Sequence, residues 1–183
     1  CKAYGSTDYL FSSDLPQNRS QALENLFSDK EVKCIIAARG AYGSMEVLPH
    51  LDFKIIKNNP KCLVGFSDIT AVMNAIIKVS GVVCVHGPMA SGAFAEDPAD
   101  PDPANTIDVL FNLLQAEVIN PFEGMRFESL NDLQGKSGEL IGGSLCTLLS
   151  LFGTQWEPDF SNKILFLEEV SEKPYAIHRM FSQ

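Results

Sequence analysis

Lys61-Cys62-Leu63-Val64-Gly65-Phe66-Ser67-Asp68-Ile69-Thr70 is a short apolar run that meets Gly-x-Ser-Asp and passes straight into the helical pattern of residues 71–79. A buried strand, a tight corner and a helix in so few residues form the repeating unit of a parallel sheet, whose strands need crossover connections. A serine at such a corner can stand clear of the main chain with its hydroxyl exposed, the geometry of a nucleophile elbow. The same residue can instead cap the helix, its side chain accepting the orphan N–H groups of the first turn. The corner alone leaves both roles open.

The flanking pattern repeats the unit. Residues 18–29 place Ala22, Leu23, Leu26 and Phe27 on one helical face and lead into a strand-like run at 32–38. A glycine loop at 39–43 follows, then a helical segment at 45–50, the Ser67 corner, its helix, and a strand at 82–86. Alternating helices and near-continuous apolar strands predict an α/β fold, a parallel sheet with helices on both faces. Residues 95–104 (AEDPADPDPA) are rich in Pro and Asp and predict a solvated loop, with three prolines too many for a calcium loop. An amphipathic helix is expected at 106–115. Beyond it, 118–138 alternates short strand-like pieces with turn residues, and Glu139 to Ser144 leads into a helix at 145–151. This divides the chain into an α/β nucleophile domain at 1–115, its opening strand missing, a linker at 116–134, and an incomplete, smaller carboxy-terminal domain at 135–183. Its clearest strand is 163–170, four apolar residues and then abruptly Glu168-Glu169, which sets carboxylates at the end of a strand where open α/β sheets place ligands. A helix opened by Pro174 closes the chain.

Composition excludes several classes. At 183 residues and 45% hydrophobic, the chain can bury a good-sized core, and no apolar run approaches the ~18 residues of a membrane span. A formal charge of −9 repels phosphate backbones, so nucleic acid is not an expected partner. Five cysteines, an odd number partly within apolar runs, fit reduced thiols in a cytoplasm. Gly135-Lys136-Ser137 resembles the end of a phosphate loop, but Leu130 stands where its first glycine belongs; Gly40-Ala41-Tyr42-Gly43 lacks the third glycine of a dinucleotide fingerprint. Cys84 and His86 offer only two metal ligands, and there is no C-x-x-C pair.

Ala38-Arg39-Gly40-Ala41-Tyr42-Gly43, Leu48-Pro49-His50-Leu51-Asp52, the Ser67 corner, His86-Gly87-Pro88, Ile141-Gly142-Gly143-Ser144-Leu145, Gly153-Thr154, the strand reaching Glu168-Glu169 and Pro174-Tyr175 occur together in one order. In that order and spacing the chain resembles the serine L,D-carboxypeptidases, which include murein tetrapeptide carboxypeptidases and the peptidases of microcin C immunity. The resemblance implies an active site between two domains and a Ser-His-Glu triad without metal or other cofactor. Ser67 takes the place of the nucleophile and Glu168 that of the carboxylate orienting the histidine, with Glu169 as the alternative to Glu168. The main-chain N–H of Asp68 and one from Gly40 or Ala41 are the expected oxyanion donors. Arg39, Tyr42, His86 and Ser144 are the expected cleft residues.

The triad histidine of that pattern lies downstream of the Pro-Tyr helix. None of His50, His86 and His178 matches it, and His86 is the best placed for a supporting role. The expectation is therefore a segment of a longer protein with its triad incomplete. Two residues depart from the pattern: Ala41 where a second glycine is usual, and Ser144 where asparagine is usual. The resemblance implies a cytoplasmic, homodimeric hydrolase that takes the terminal D-alanine from a murein tetrapeptide in cell-wall recycling. The alternatives are a hydrolase of peptidyl or aminoacyl adenylates and a catalytically inactive binding homologue.

Overall fold

Cys34–Ile36 (β1), Cys62–Gly65 (β2) and Cys84–His86 (β3) pair in parallel, in that order, in a computed structural model that describes residues 13–91, 101–115, 128 and 137–183. Ile35 lies opposite Leu63 and Val64 opposite Val85, so apolar side chains run in rows across the sheet. The helices Pro16–Ser28 (α1), Ser44–Val47 (α2), Phe53–Asn58 (α3) and Thr70–Ser80 (α4) supply the crossovers, with 3-10 turns at Leu48–His50 and Ser67–Ile69. A fifth helix, Pro101–Leu114 (α5), follows. Glu139–Ser144 (β4) and Lys163–Glu168 (β5) form a second, two-stranded parallel sheet, with Leu145–Leu149 (α6) between them and Pro174–Phe181 (α7) after. The parallel α/β architecture expected from the periodicities is the one observed.

α4 carries the core. Its residues Ala71, Val72, Met73, Ala75 and Ile76 are buried together with Phe27 of α1, Leu48, Ile56 of α3 and Leu63 of β2 on one side. Leu148 of α6 and Leu151 complete the same cluster from the other side. At roughly 1.5–3 kcal/mol for each such side chain removed from water, this shared cluster is the main cohesion between the two sheets.

Four elements differ from the expectation. β1 and β3 are three residues each, shorter than the apolar runs at 32–38 and 82–86. α3 was not expected, because six residues are too few for periodicity to declare; its signal is Asp52, whose Oδ1 accepts the Lys54 N–H at 2.9 Å as an N-cap. α5 begins at Pro101, so the loop expected at 95–104 is helical from residue 101. Pro101 and Pro103 both fall in the first turn, where a missing N–H costs the helix nothing. Residues 95–100, nearly all of the expected linker, and most of 118–138 lie outside the described residues.

Candidate active site

Ser67 follows the end of β2 after one intervening residue, Phe66, and has φ of +60°, a left-handed conformation that a residue with a Cβ adopts at a cost. It lies at the first position of a 3-10 turn whose N-cap is Phe66, and neither this turn nor α4 receives a side-chain cap. The corner therefore holds a strained serine, half-buried, rather than a helix cap.

The glycine loop lies over that serine. A Cβ placed on Gly40 would come 3.1 Å from both Cβ and Oγ of Ser67, a tighter contact than most side chains make, so the glycine lets this main chain lie close to the hydroxyl without displacing it. Asp68 fastens the loop: its Oδ2 accepts the Ser44 N–H at 2.9 Å, while the Ser44 hydroxyl donates to the Asp68 carbonyl. Arg19 of α1 adds a hydrogen bond from Nη1 to the Gly43 carbonyl at 2.9 Å. Ala41, where the pattern has glycine, sits at φ of +104° and is strained as its Cβ dictates. Arg39 and Tyr42 are exposed on the same loop.

β4 and β5 bring the carboxylate. Their register sets Ser144 opposite Glu168, both at the carboxyl ends of their strands. Ser144 is buried, and its N–H donates to Thr70 Oγ1 at 3.1 Å at the start of α4, the helix that begins behind Ser67. Four residues on, Asn74 Nδ2 donates to the carbonyls of Thr70 and Gly142, each at 2.8 Å. These two polar ties anchor β4 to the nucleophile's own helix. Gly142 permits the pairing beyond: at φ of +135°, an added Cβ would lie 1.8 Å from the Phe166 carbonyl oxygen.

The two adjacent glutamates are separated by their partners. Glu169 accepts the Cys146 N–H at 2.9 Å through Oε2 and the Val170 N–H at 3.0 Å through Oε1, which commits it to the main chain around α6. Glu168 instead has a buried Oε1 without a hydrogen-bond partner among the described residues. Burial raises its carboxyl above the ordinary value and the Glu169 charge adds to this, while the Ser67 N–H works in the opposite sense. Its register partner Ser144 is bound to Thr70, three residues beyond Ser67, which sets the Glu168 end of β5 on the serine's side of the site.

Of the histidines, His50 is exposed at the end of a 3-10 turn and His178 lies exposed on α7; neither hydrogen-bonds Ser67 or Glu168. His86 ends β3, opposite Gly65; the residue is exposed, and the part of its ring that is covered lowers its pKa below the ordinary value by desolvation. The structure thus brings together Ser67, Asp68, Gly40, Ser144 and Glu168, with His86 near them. Arg19, Ser44, Thr70 and Asn74 were not anticipated. Thr70 and Asn74 alone carried a signal, as polar interruptions of a strongly apolar helix.

A parallel α/β sheet whose strand ends in a strained Gly-x-Ser corner, with a carboxylate delivered from a second strand end, has the form of a serine hydrolase. Residues 2–87 match the LD-carboxypeptidase N-terminal domain and residues 137–183 the LD-carboxypeptidase C-terminal domain. The probable murein peptide carboxypeptidase of Bacillus subtilis is 35% identical over 179 residues, 96% of this chain and 53% of that protein. The microcin C7 self-immunity protein MccF of Escherichia coli is 28% identical over 205 residues, 99% of this chain and 59% of that protein. Among solved structures, MccF in complex with aspartyl sulfamoyl adenosine superposes with a TM-score of 0.82 at 27% identity, covering 99% of this chain and 61% of that one. The muramoyltetrapeptide carboxypeptidase of Oxalobacter formigenes gives a TM-score of 0.76 at 28% identity, covering 98% and 59%. The chain belongs to the LD-carboxypeptidase family, whose members are serine-type peptidases. It spans about half the length of the curated relatives it matches.

Proposed function

We propose that the protein carrying this chain is a serine L,D-carboxypeptidase that releases the terminal D-alanine of murein tetrapeptides in cell-wall recycling. The observation that carries the reading is Ser67 at φ of +60°, with Gly40 against its Oγ and Glu168 beside it. Strain of this kind persists where function requires the hydroxyl in one place.

In this reading Ser67 Oγ attacks the carbonyl of the L,D-peptide bond while a histidine takes its proton. The unpartnered Glu168 Oε1 accepts that histidine's second N–H, fixing the tautomer and offsetting the imidazolium charge. The tetrahedral oxyanion is held by the N–H of Asp68 and one from Gly40 or Ala41; its collapse passes the proton to the departing amine of D-alanine. Water then hydrolyses the acyl-serine ester by the same proton relay. The histidine is contributed by the remainder of the protein. Arg39 and Tyr42, exposed on the loop, and Ser144 at the end of β4 are the groups proposed to meet substrate. We place the protein in the cytoplasm as a homodimer; no helix among the described residues is long and apolar enough to cross a membrane.

One observation favours a second substrate. The Phe66 ring is 36% exposed beside Ser67, a surface on which the base of an aminoacyl nucleotide can stack, and MccF bound to aspartyl sulfamoyl adenosine shares the fold. The deciding assay follows D-alanine release from a murein tetrapeptide by the full-length protein and by Ser67→Ala. Release that falls at least about a thousandfold in the variant supports the carboxypeptidase. Release unchanged by the substitution removes Ser67 from the mechanism, and hydrolysis of an aminoacyl adenylate analogue alone transfers the reading to the second substrate.

A further inference from the structure

We propose that His86 is a positioning residue for this reaction: its ring, set between Phe66 and Phe166, fixes the separation of Ser67 and Glu168. The inference rests on the serine peptidase reading and adds to it a role for a ring that need not touch substrate.

The two halves of the site arrive on different sheets. Phe66 immediately precedes Ser67 at the end of β2, and Phe166 lies two residues before Glu168 on the same face of β5. Displacing either ring displaces the neighbouring functional side chain. His86 touches both: its centroid is 6.0 Å from that of Phe66 at 58°, and 5.0 Å from that of Phe166 at 70°, an edge-to-face contact. Separations of about 4.5–7 Å and tilted geometries of this kind are the favourable ones for aromatic pairs.

The strand explains why the ring reaches across. Cys84 and His86 share a face of β3, and the Cys84 sulfur rests against the Met73 carbonyl of α4 at 3.9 Å. His86 therefore projects on the side of the sheet covered by α4, the helix on which β4 and β5 pack. Its register partner is Gly65, whose missing side chain leaves room for Ala37 and Ile69 to close over the end of β2. The Thr70 and Asn74 ties fix β4 from below, and the His86 wedge fixes β5 at the catalytic end.

The test uses the full-length protein with His86→Ala and His86→Phe. kcat and KM for D-alanine release are measured, and the rate at which a serine-directed fluorophosphonate modifies Ser67 is followed by intact mass. The expected result is a kcat at least about tenfold lower for His86→Ala with KM little changed, since a displacement of about 1 Å can cost two orders of magnitude. His86→Phe, which keeps the edge contacts, is expected to recover most of that loss and to retain the parent's pH–rate profile. Modification of Ser67 is expected to follow the same order. Parental kcat and labelling in folded His86→Ala overturn the proposal. So does a His86→Phe as slow as the alanine variant, which would assign the work to an imidazole nitrogen. If the parent labels at Ser67 but releases no D-alanine, the substrate reading fails and the labelling rates still judge the wedge. A parent that does not label overturns both.

Discussion

The two parallel sheets deliver one functional side chain each, by different means. β1 to β3 present Ser67 through burial: apolar rows lie against α4, and the corner is strained because its surroundings over-determine it. β4 and β5 present Glu168 through close approach and a few polar ties, and their outer face leaves Leu140 59% and Ile164 43% exposed, opposite each other in register. The nucleophile thus stands on many weak interactions, each replaceable, whereas the carboxylate stands on a few that are not.

The largest break in that contrast is Gly142→Ala. With a Cβ 1.8 Å from the Phe166 carbonyl, the ladder between β4 and β5 cannot close, and a loss of more than about 4 kcal/mol is expected. Hydrogen exchange locates it: protection disappears in β4 and β5 first, and equal loss in β1 to β3 would show that the sheets unfold as one unit. Asn74→Leu is the next in size. It leaves the Thr70 and Gly142 carbonyls without their amide donor, at a cost of about 1–3 kcal/mol in chemical denaturation.

Ala41→Gly acts in the opposite direction and on the other half. Releasing φ of +104° is expected to stabilise the protein by about 1 kcal/mol, read as a higher denaturation midpoint; a lower midpoint would show that the alanine methyl contributes packing worth more than its strain. Glu168→Gln gives the smallest change in stability together with loss of turnover. Because the folded-state pKa of Glu168 is raised, first by burial and then by Glu169, the protein holds its proton more tightly folded than unfolded. The stability this gives is present below the ordinary carboxylate range and lost as pH rises through the folded value. The glutamine variant lacks this loss, so its melting temperature should gain on the parent's as pH rises from 4 to 7, and parallel curves would sink the assignment.

The same contrast governs what the sequence discloses. The Ser67 corner is legible because its signals are local: an apolar strand, a glycine, a polar residue and a helix lie within ten residues. The neighbourhood of Glu168 is not, since adjacent glutamates are equivalent to any periodicity, and only the engagement of Glu169 with the main chain at Cys146 separates them. Thr70 and Asn74 read as flaws in an apolar helix until the strand they hold is in place, 74 and 68 residues further on respectively. The early start of α5 is hidden by prolines that suggest a loop until they are counted into a first turn.

The φ of Ser67 also dates the loss of function in a lineage. A gene relieved of the need for this hydroxyl gains by exchanging the serine for glycine or asparagine, which reach the left-handed region with less penalty. Descendants that keep serine here keep a residue that folding alone disfavours. Among relatives too divergent to compare by overall identity, the residue at this corner is therefore a record of selection, separating lineages still under catalytic demand from those that have left it.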